Sequence, residues 1–467
     1  MGYRIREVEA ESQFCTQVTV DVINQVIPLT LMEAIIADCK VGQQRIRKLP
    51  ALLTMLLCIV MNLFSELSLS YVLVRMVRGS RLLSDVGVGE LATKGPISRA
   101  RYRLGAKPLE QLFKRVCQPI ASPQTPGAFA YGMRLVAIDG TIEDVADTPH
   151  NAAYFGRHHA DRGMAAFPQV QCVYLCECGT HVIFDAVFWP CHTSEHKGAR
   201  RLVRSVQPDM LVMWDRGLYA FDQVKAVRER GAQVLCRLPA SVNPKVVQYL
   251  SDGSYWAHIY PADSQRRKKG EHLLVRIMEY TLDDPHRPGH GEIHRLLTTL
   301  LNPDLYPALE LIGLYHERWE IEITIDEIDT HQRLLHKPFR SLKPEGVIQE
   351  LYGLLIAHFI IRFIMHQAAV STQLDPDRLS FINSLRLICD ALTDFQLVHP
   401  DQHPALWSRL LTDILHFKLP PRDHRINPRV VKRKMSKFKR KRPEHLHPPS
   451  PTSFQSSIVM LGQVSYA

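Results

Sequence analysis

The chain of 467 residues has no apolar run long enough to cross a bilayer. Its longest, Ala51 to Phe64, is 14 residues against the ~20 a spanning helix needs. Arg45, Arg47 and Lys48 precede that run and Glu66 follows it, so it reads as a buried helix. The first residues, MGYRIREVEAESQF, carry charges throughout and lack the apolar core of an export signal, which predicts a cytoplasmic protein with no membrane partner. No G-x-x-x-x-G-K-[ST] and no G-x-S-x-G occurs, so neither a nucleotide-binding P-loop nor a serine-hydrolase elbow is expected. Ten cysteines are present but no C-x2-C knuckle. Cys172, Cys176, Cys178, Cys191, His192 and His196 are therefore read as reduced core thiols and unpaired histidines rather than a zinc site. His158-His159 likewise lacks a paired motif and reads as surface.

Excess charge is also missing from most of the chain. The formal net charge is +10, yet Arg422 to Arg442 contains eleven Lys or Arg and one acid, Asp423, so this one segment accounts for all of it. A uniformly basic body is excluded. A near-neutral body with a cationic tail remains, and Lys432, Arg433, Lys434, Lys437, Lys439 and Arg440 are candidates to grip nucleic-acid phosphates.

With 46% hydrophobic residues, the chain has ample material for two to four domains. Residues 1–121 read as a helical domain that binds DNA. Within it Pro96 to Gly105 places Arg99, Arg101 and Arg103 on a short helix, either presented to a DNA groove or forming a solvated basic face. After the Ser122 to Ala128 linker the period changes. Met133 to Ile138, Gln169 to Glu177 and His181 to Trp189 read as strands, the last two as a hairpin, followed by a helix over Ser194 to Val206. The strand Met210 to Trp214, a helix over Phe221 to Arg230 and the strand Ala232 to Leu238 come next. The order predicts a mixed sheet flanked by helices over 128–240. Residues 240–306 read as a β-rich insertion with short pieces at Leu273 to Tyr280 and Ile293 to Leu301. The rest of the core follows over 307–370, with helices from Tyr306 past Glu322 and from Gly346 to Gln367. Residues 371–467 then form a helical C-terminal region and the basic tail.

Asp139 and Asp215 each stand at the end of an apolar strand, where a carboxylate is costly unless paired or metal-bound. In Tyr315-His-Glu-Arg-Trp-Glu-Ile-Glu322, a wheel of 100° per residue puts Tyr315, Arg318 and Glu322 on one face, with Glu322 at the margin of the buried stripe. Three carboxylates without His or Cys form a hard oxygen set suited to Mg²⁺ or Mn²⁺. A pair of such ions serves phosphoryl transfer on nucleic acid, with Arg318 and Tyr315 contacting the DNA phosphate.

Ile138-Asp139-Gly140-Thr141, Trp214-Asp215-Arg216-Gly217 and Tyr315-x2-Arg318-x3-Glu322, followed by Glu350 to His358, closely resemble the bacterial insertion-sequence DDE transposases with the Tyr-Arg-Glu-Lys signature, of the insertion-sequence-four type. The resemblance implies an α/β, ribonuclease H-like core interrupted by a β-rich insertion. It makes Asp139, Asp215 and Glu322 the catalytic, metal-binding triad. It also implies cleavage and strand transfer at terminal inverted repeats, with double-stranded DNA ends and target DNA as partners of a homodimer. Where the signature has Lys this chain has Asp329, an anion near phosphates, with Lys337, Arg340 and Lys343 as candidates to compensate. The strand Arg295 to Thr299 lacks the Trp that some relatives carry. Trp256 and Tyr255 could substitute, although core roles fit them better. A nuclease or resolvase on the same core, or a DNA-binding protein with an impaired core, are the competing readings.

Overall fold

The computed structural model describes residues 21–42, 49–77, 94–160, 163–285, 290–333, 337–420, 430–431, 439–440 and 453–461. They form a mixed α/β fold with a large mixed sheet flanked by helices, as the element order predicts. Two compact units are interleaved along the chain. The first comprises Met1–Ala128, Gly140–Gly198 and Glu320–Leu419, and the second Phe129–Asp139, Ala199–Trp319 and Pro420–Ala467.

The first unit is built around the helix Pro344–Val370. Pro344 opens it, where a missing N–H costs nothing. Apolar residues surround it on all sides, and 89% of its most apolar window is buried. By length and composition it could cross a membrane, but burial marks it as a core helix. Against it pack Ala51–Val60, whose ten residues are all buried, and Lys107–Val116. Gly353 makes the closest approach possible: a Cβ there would lie 2.3 Å from the Cys58 carbonyl. The hairpin Gln169–Glu177 and Val182–Pro190 is antiparallel, with an irregularity between Leu175 and Cys176. Its turn uses two left-handed residues, Gly179 at φ 79° and His181 at φ 59°. The helix Pro149–Phe155, which precedes the hairpin, departs from the expected order. Thr148 caps it by accepting from the Asn151 N–H, with Pro149 next, a start signal visible in the sequence.

In the second unit the strand beginning at Met133 pairs parallel with Met210–Trp214, which pairs parallel with Gln233–Arg237. The helix Phe221–Glu229 makes the crossover that parallel neighbours require. The β-rich residues 240–306 extend this sheet. His294–Thr298 joins Gln233–Arg237 antiparallel, and Leu273–Leu282, Tyr255–Ile259 and Lys245–Tyr249 follow in turn. Ile458–Met460 adds to the far part of Leu273–Leu282.

Candidate active site

The parallel register pairs Arg134 with Met210 and Ala137 with Met213. Continued by two residues, it sets Asp139 beside Asp215, both where the buried stretches Leu135 to Ile138 and Met210–Trp214 give way to half-exposed positions. Ligands of open α/β sheets gather at such carboxyl ends. Asp215 is held by its own backbone, accepting from the N–H groups of Gly217 at 2.7 Å and Leu218 at 3.2 Å. That turn needs a small residue, since a Cβ on Gly217 would press on Asp215 Oδ1 at 3.0 Å.

Tyr315 to Arg318 forms a 3-10 turn rather than α-helix, so the 100° wheel drawn from Tyr315 does not hold across it. Tyr315 donates its hydroxyl to the Trp214 carbonyl at 3.2 Å, fastening the turn to the strand that carries Asp215. Burial pushes this hydroxyl's pKa upward. Arg318 is buried, and its guanidinium lies 3.7 Å from Asp139 Oδ2 and 5.7 Å from the Tyr315 and Trp319 rings. The structure therefore brings Asp139, Asp215, Tyr315 and Arg318 together where the parallel pairing gives out; Asp139 itself lies inside its strand, which continues to Asp144, and not at the strand end expected from the sequence. Two aspartates and an arginine so placed are a donor set that suits a hard divalent cation with a phosphate opposite it.

In the first unit, Glu322 is half-buried on the helix Trp319–Asp326. Ile321 and Thr324 form the buried face of that helix, and Glu322 points away from it. Asp329 lies beyond, in a π-helical turn from Glu327 to Gln332. It is buried rather than presented to phosphates, 3.4 Å from the Thr141 hydroxyl and 3.8 Å from Arg333, which also pairs with Glu143. Burial, reinforced by Glu143, pushes the Asp329 carboxyl up to about 9. Among the proposed compensators, Arg340 donates to the Leu67 carbonyl at 3.0 Å, while Lys337 and Lys343 are exposed.

The helix Lys94–Leu104 separates the three arginines expected to meet DNA. Arg99 and Arg103 are exposed, but Arg101 shares the buried face of Ile97, Ala100 and Leu104. It donates to Gln349 Oε1 and Ser341 Oγ at 2.9 Å each, and so is a structural residue. The spacing Ile97, Arg101, Leu104 carried that signal. In the tail, Lys439 and Arg440 form a two-residue strand parallel to Val430–Val431, while Lys432, Arg433, Lys434 and Lys437 lie outside the described residues. Trp256 donates to the Leu301 carbonyl at 2.9 Å and Tyr255 to Glu279, both packing roles. Cys172, Cys176 and Cys178 are buried thiols; burial raises the pKa of Cys172, and that of Cys176 to about 12.

Sequence reasoning missed a second cluster, also in the first unit. His181, Glu320 and Asp377 present atoms within 4.8 Å of one another, backed by Glu327, His358 and Arg362. His358 and Arg362, four apart on one helix, were its only visible pattern. Both imidazole nitrogens of His181 already face carboxylates, and Arg362 neutralises Glu327, so the group reads as an ion-paired network.

Residues 130–360 match the family described as Transposase DDE domain, and residues 17–114 match Insertion element 4 transposase N-terminal. The chain is 29% identical over 348 residues, 73% of its length and 77% of the relative's, to Transposase InsG for insertion sequence element IS4 of Escherichia coli (strain K12). It is 27% identical over 170 residues, 36% of its length and 57% of the relative's, to Putative transposase InsZ of the same strain. A solved piggyBac transposase synaptic complex with hairpin DNA aligns over 86% of this chain and 85% of that one at 11% identity, with a TM-score of 0.40. DDE domains act on DNA with divalent metal and have a ribonuclease H-like fold, which agrees with the mixed sheet and with carboxylates where its parallel pairing gives out. The chain belongs to the DDE transposases of the insertion element 4 type and is an insertion-sequence transposase.

Proposed function

We propose that the protein binds the terminal inverted repeats of its element, cuts there and joins the freed 3′ hydroxyls to target DNA, using Asp139, Asp215 and Glu322 to hold a pair of Mg²⁺ or Mn²⁺ ions. The observation that carries the reading is the parallel register which, continued by two residues, sets Asp139 beside Asp215. When bound, such ions activate the attacking oxygen and stabilise the departing one. The chain's own residues position the reactants. The Gly217 and Leu218 N–H groups aim Asp215, and Tyr315 fixes the turn that delivers Arg318. Arg318, a delocalised cation with a fork of donors, is suited to hold the scissile phosphate against Asp139. Arg99, Arg103 and the basic tail supply backbone contacts that orient the duplex without reading its sequence. Two protomers pair two DNA ends, and the protein works in the cytoplasm.

The test is nicking of a duplex carrying the element's ends. Cleavage should require Mg²⁺ or Mn²⁺ and vanish in Asp139→Asn, Asp215→Asn and Glu322→Gln. Retained cutting in all three variants would overturn the assignment.

A further inference from the structure

The helix Trp319–Asp326 has only eight residues, too few to be stable by itself, and it passes directly into the π turn. Glu320 and Glu327 both meet His181 and so lie on one side, whereas Glu322, two residues on from Glu320 in the α-helix, is about 200° from it. The helix therefore has an ion-paired back and a carboxylate front. His181 seizes the back. Its Nε2 meets Glu320 and, at 3.0 Å, Asp377 Oδ1, and its Nδ1 meets Glu327 Oε1 at 3.2 Å. Glu327 is locked in turn by Arg362, which donates to both its oxygens, and by His358 at 3.2 Å. Burial opposes a charge on His181, but the carboxylates of Asp377, Glu327 and Glu320 outweigh it and raise the ring's pKa. The residue occupies left-handed backbone at φ 59°, a conformation that a non-glycine residue keeps only when its surroundings enforce it.

We propose that His181 is a positioning residue for Glu322: by clamping Glu320 and Glu327 it fixes the azimuth of the helix and so the direction in which the Glu322 carboxylate points. This rests on the reading of Glu322 as a metal ligand. Groups that orient ligands from behind typically change metal affinity or activity by about 10 to 100-fold.

The experiment is a Mg²⁺ titration of cleavage by the full chain, alongside thermal melting and DNA affinity in EDTA. His181→Gln should raise the half-saturating Mg²⁺ about tenfold or more while DNA affinity without metal stays the same. Glu320→Gln keeps the shape of the side chain and should move the titration the same way, providing a second route if His181→Gln does not fold. Thr324→Val, on the same buried face, should lower the melting temperature without moving the titration. An unmoved titration in folded His181→Gln or Glu320→Gln overturns the proposal, as does failure of both to fold, because the cluster would then be a folding determinant only. Glu322→Gln runs in parallel: if it still cuts, the reading of Glu322 fails, and if it is dead while His181→Gln titrates normally, only the positioning role fails.

Discussion

Carboxylates gather in two places in this protein, and the two differ in what balances their charge. Asp139 and Asp215 are half-exposed where the parallel pairing of their strands gives out, with backbone N–H groups on Asp215 and Arg318 at 3.7 Å from Asp139. Glu320, Glu327 and Asp377 are sunk in the first unit and matched by His181 and Arg362. A buried acid must be neutralised by the protein itself or keep its proton. A half-exposed acid can leave that task to a cation it binds. Acid count therefore says little about where chemistry happens, and the location of the counter-charge says much more.

The contrast is sharpest in the half-exposed pair. Asp139→Asn and Asp215→Asn should cut cleavage at least about a thousandfold, the scale of losing a group that stabilises transition-state charge, yet leave the melting temperature within a few degrees of the parent. A large drop in stability would erase the distinction between the regions. The reverse is expected of the buried cluster. Arg362→Ala removes the guanidinium that donates to both Glu327 oxygens and should cost about 3 kcal/mol in urea unfolding. A smaller effect of the opposite character is expected at Asp329. Its folded carboxyl keeps a proton up to about 9 while the unfolded one releases it near 3.8, so the native state binds the extra proton between those values and its stability falls as pH rises through that window. Asp329→Asn should flatten that decline, measured as the difference in unfolding free energy between pH 5 and pH 9. An equally steep decline would place the responsible proton elsewhere. The smallest effect concerns neither region. Replacing Lys432, Arg433 and Lys434 by Ser should reduce the salt slope of DNA binding by about one unit for each phosphate no longer neutralised, and an unchanged slope would free those cations from that role.

Much of the fold was legible because its strands are short apolar runs bounded by turn residues. Met210–Trp214 and Gln169–Glu177 occur where the apolar runs and their flanking turn residues put them. The strand through Asp139 runs on to Asp144, because Gly140 and Thr141 do not stop a strand whose neighbours continue to pair. What the sequence concealed was direction. Arg101 looked like one of three equivalent arginines, and only its place in the stripe of Ile97 and Leu104 turns it inward. Asp329 looked like an anion near phosphates because it stands where the signature has Lys, whereas the π turn after Asp326 holds it buried beside Thr141 and Arg333. The His181 network was invisible for a simpler reason. Its members come from a hairpin turn, two helices and a loop, far apart in the chain, and each alone is an ordinary polar residue.

The pairing of Ile458–Met460 with Leu273–Leu282 alters what the basic segment can do. The chain beyond those cations returns to the sheet that carries Asp139 and Asp215. If the cations grip a duplex as proposed, this covalent connection makes the meeting of duplex and carboxylates an intramolecular event, set by an effective concentration rather than by how much DNA is in solution.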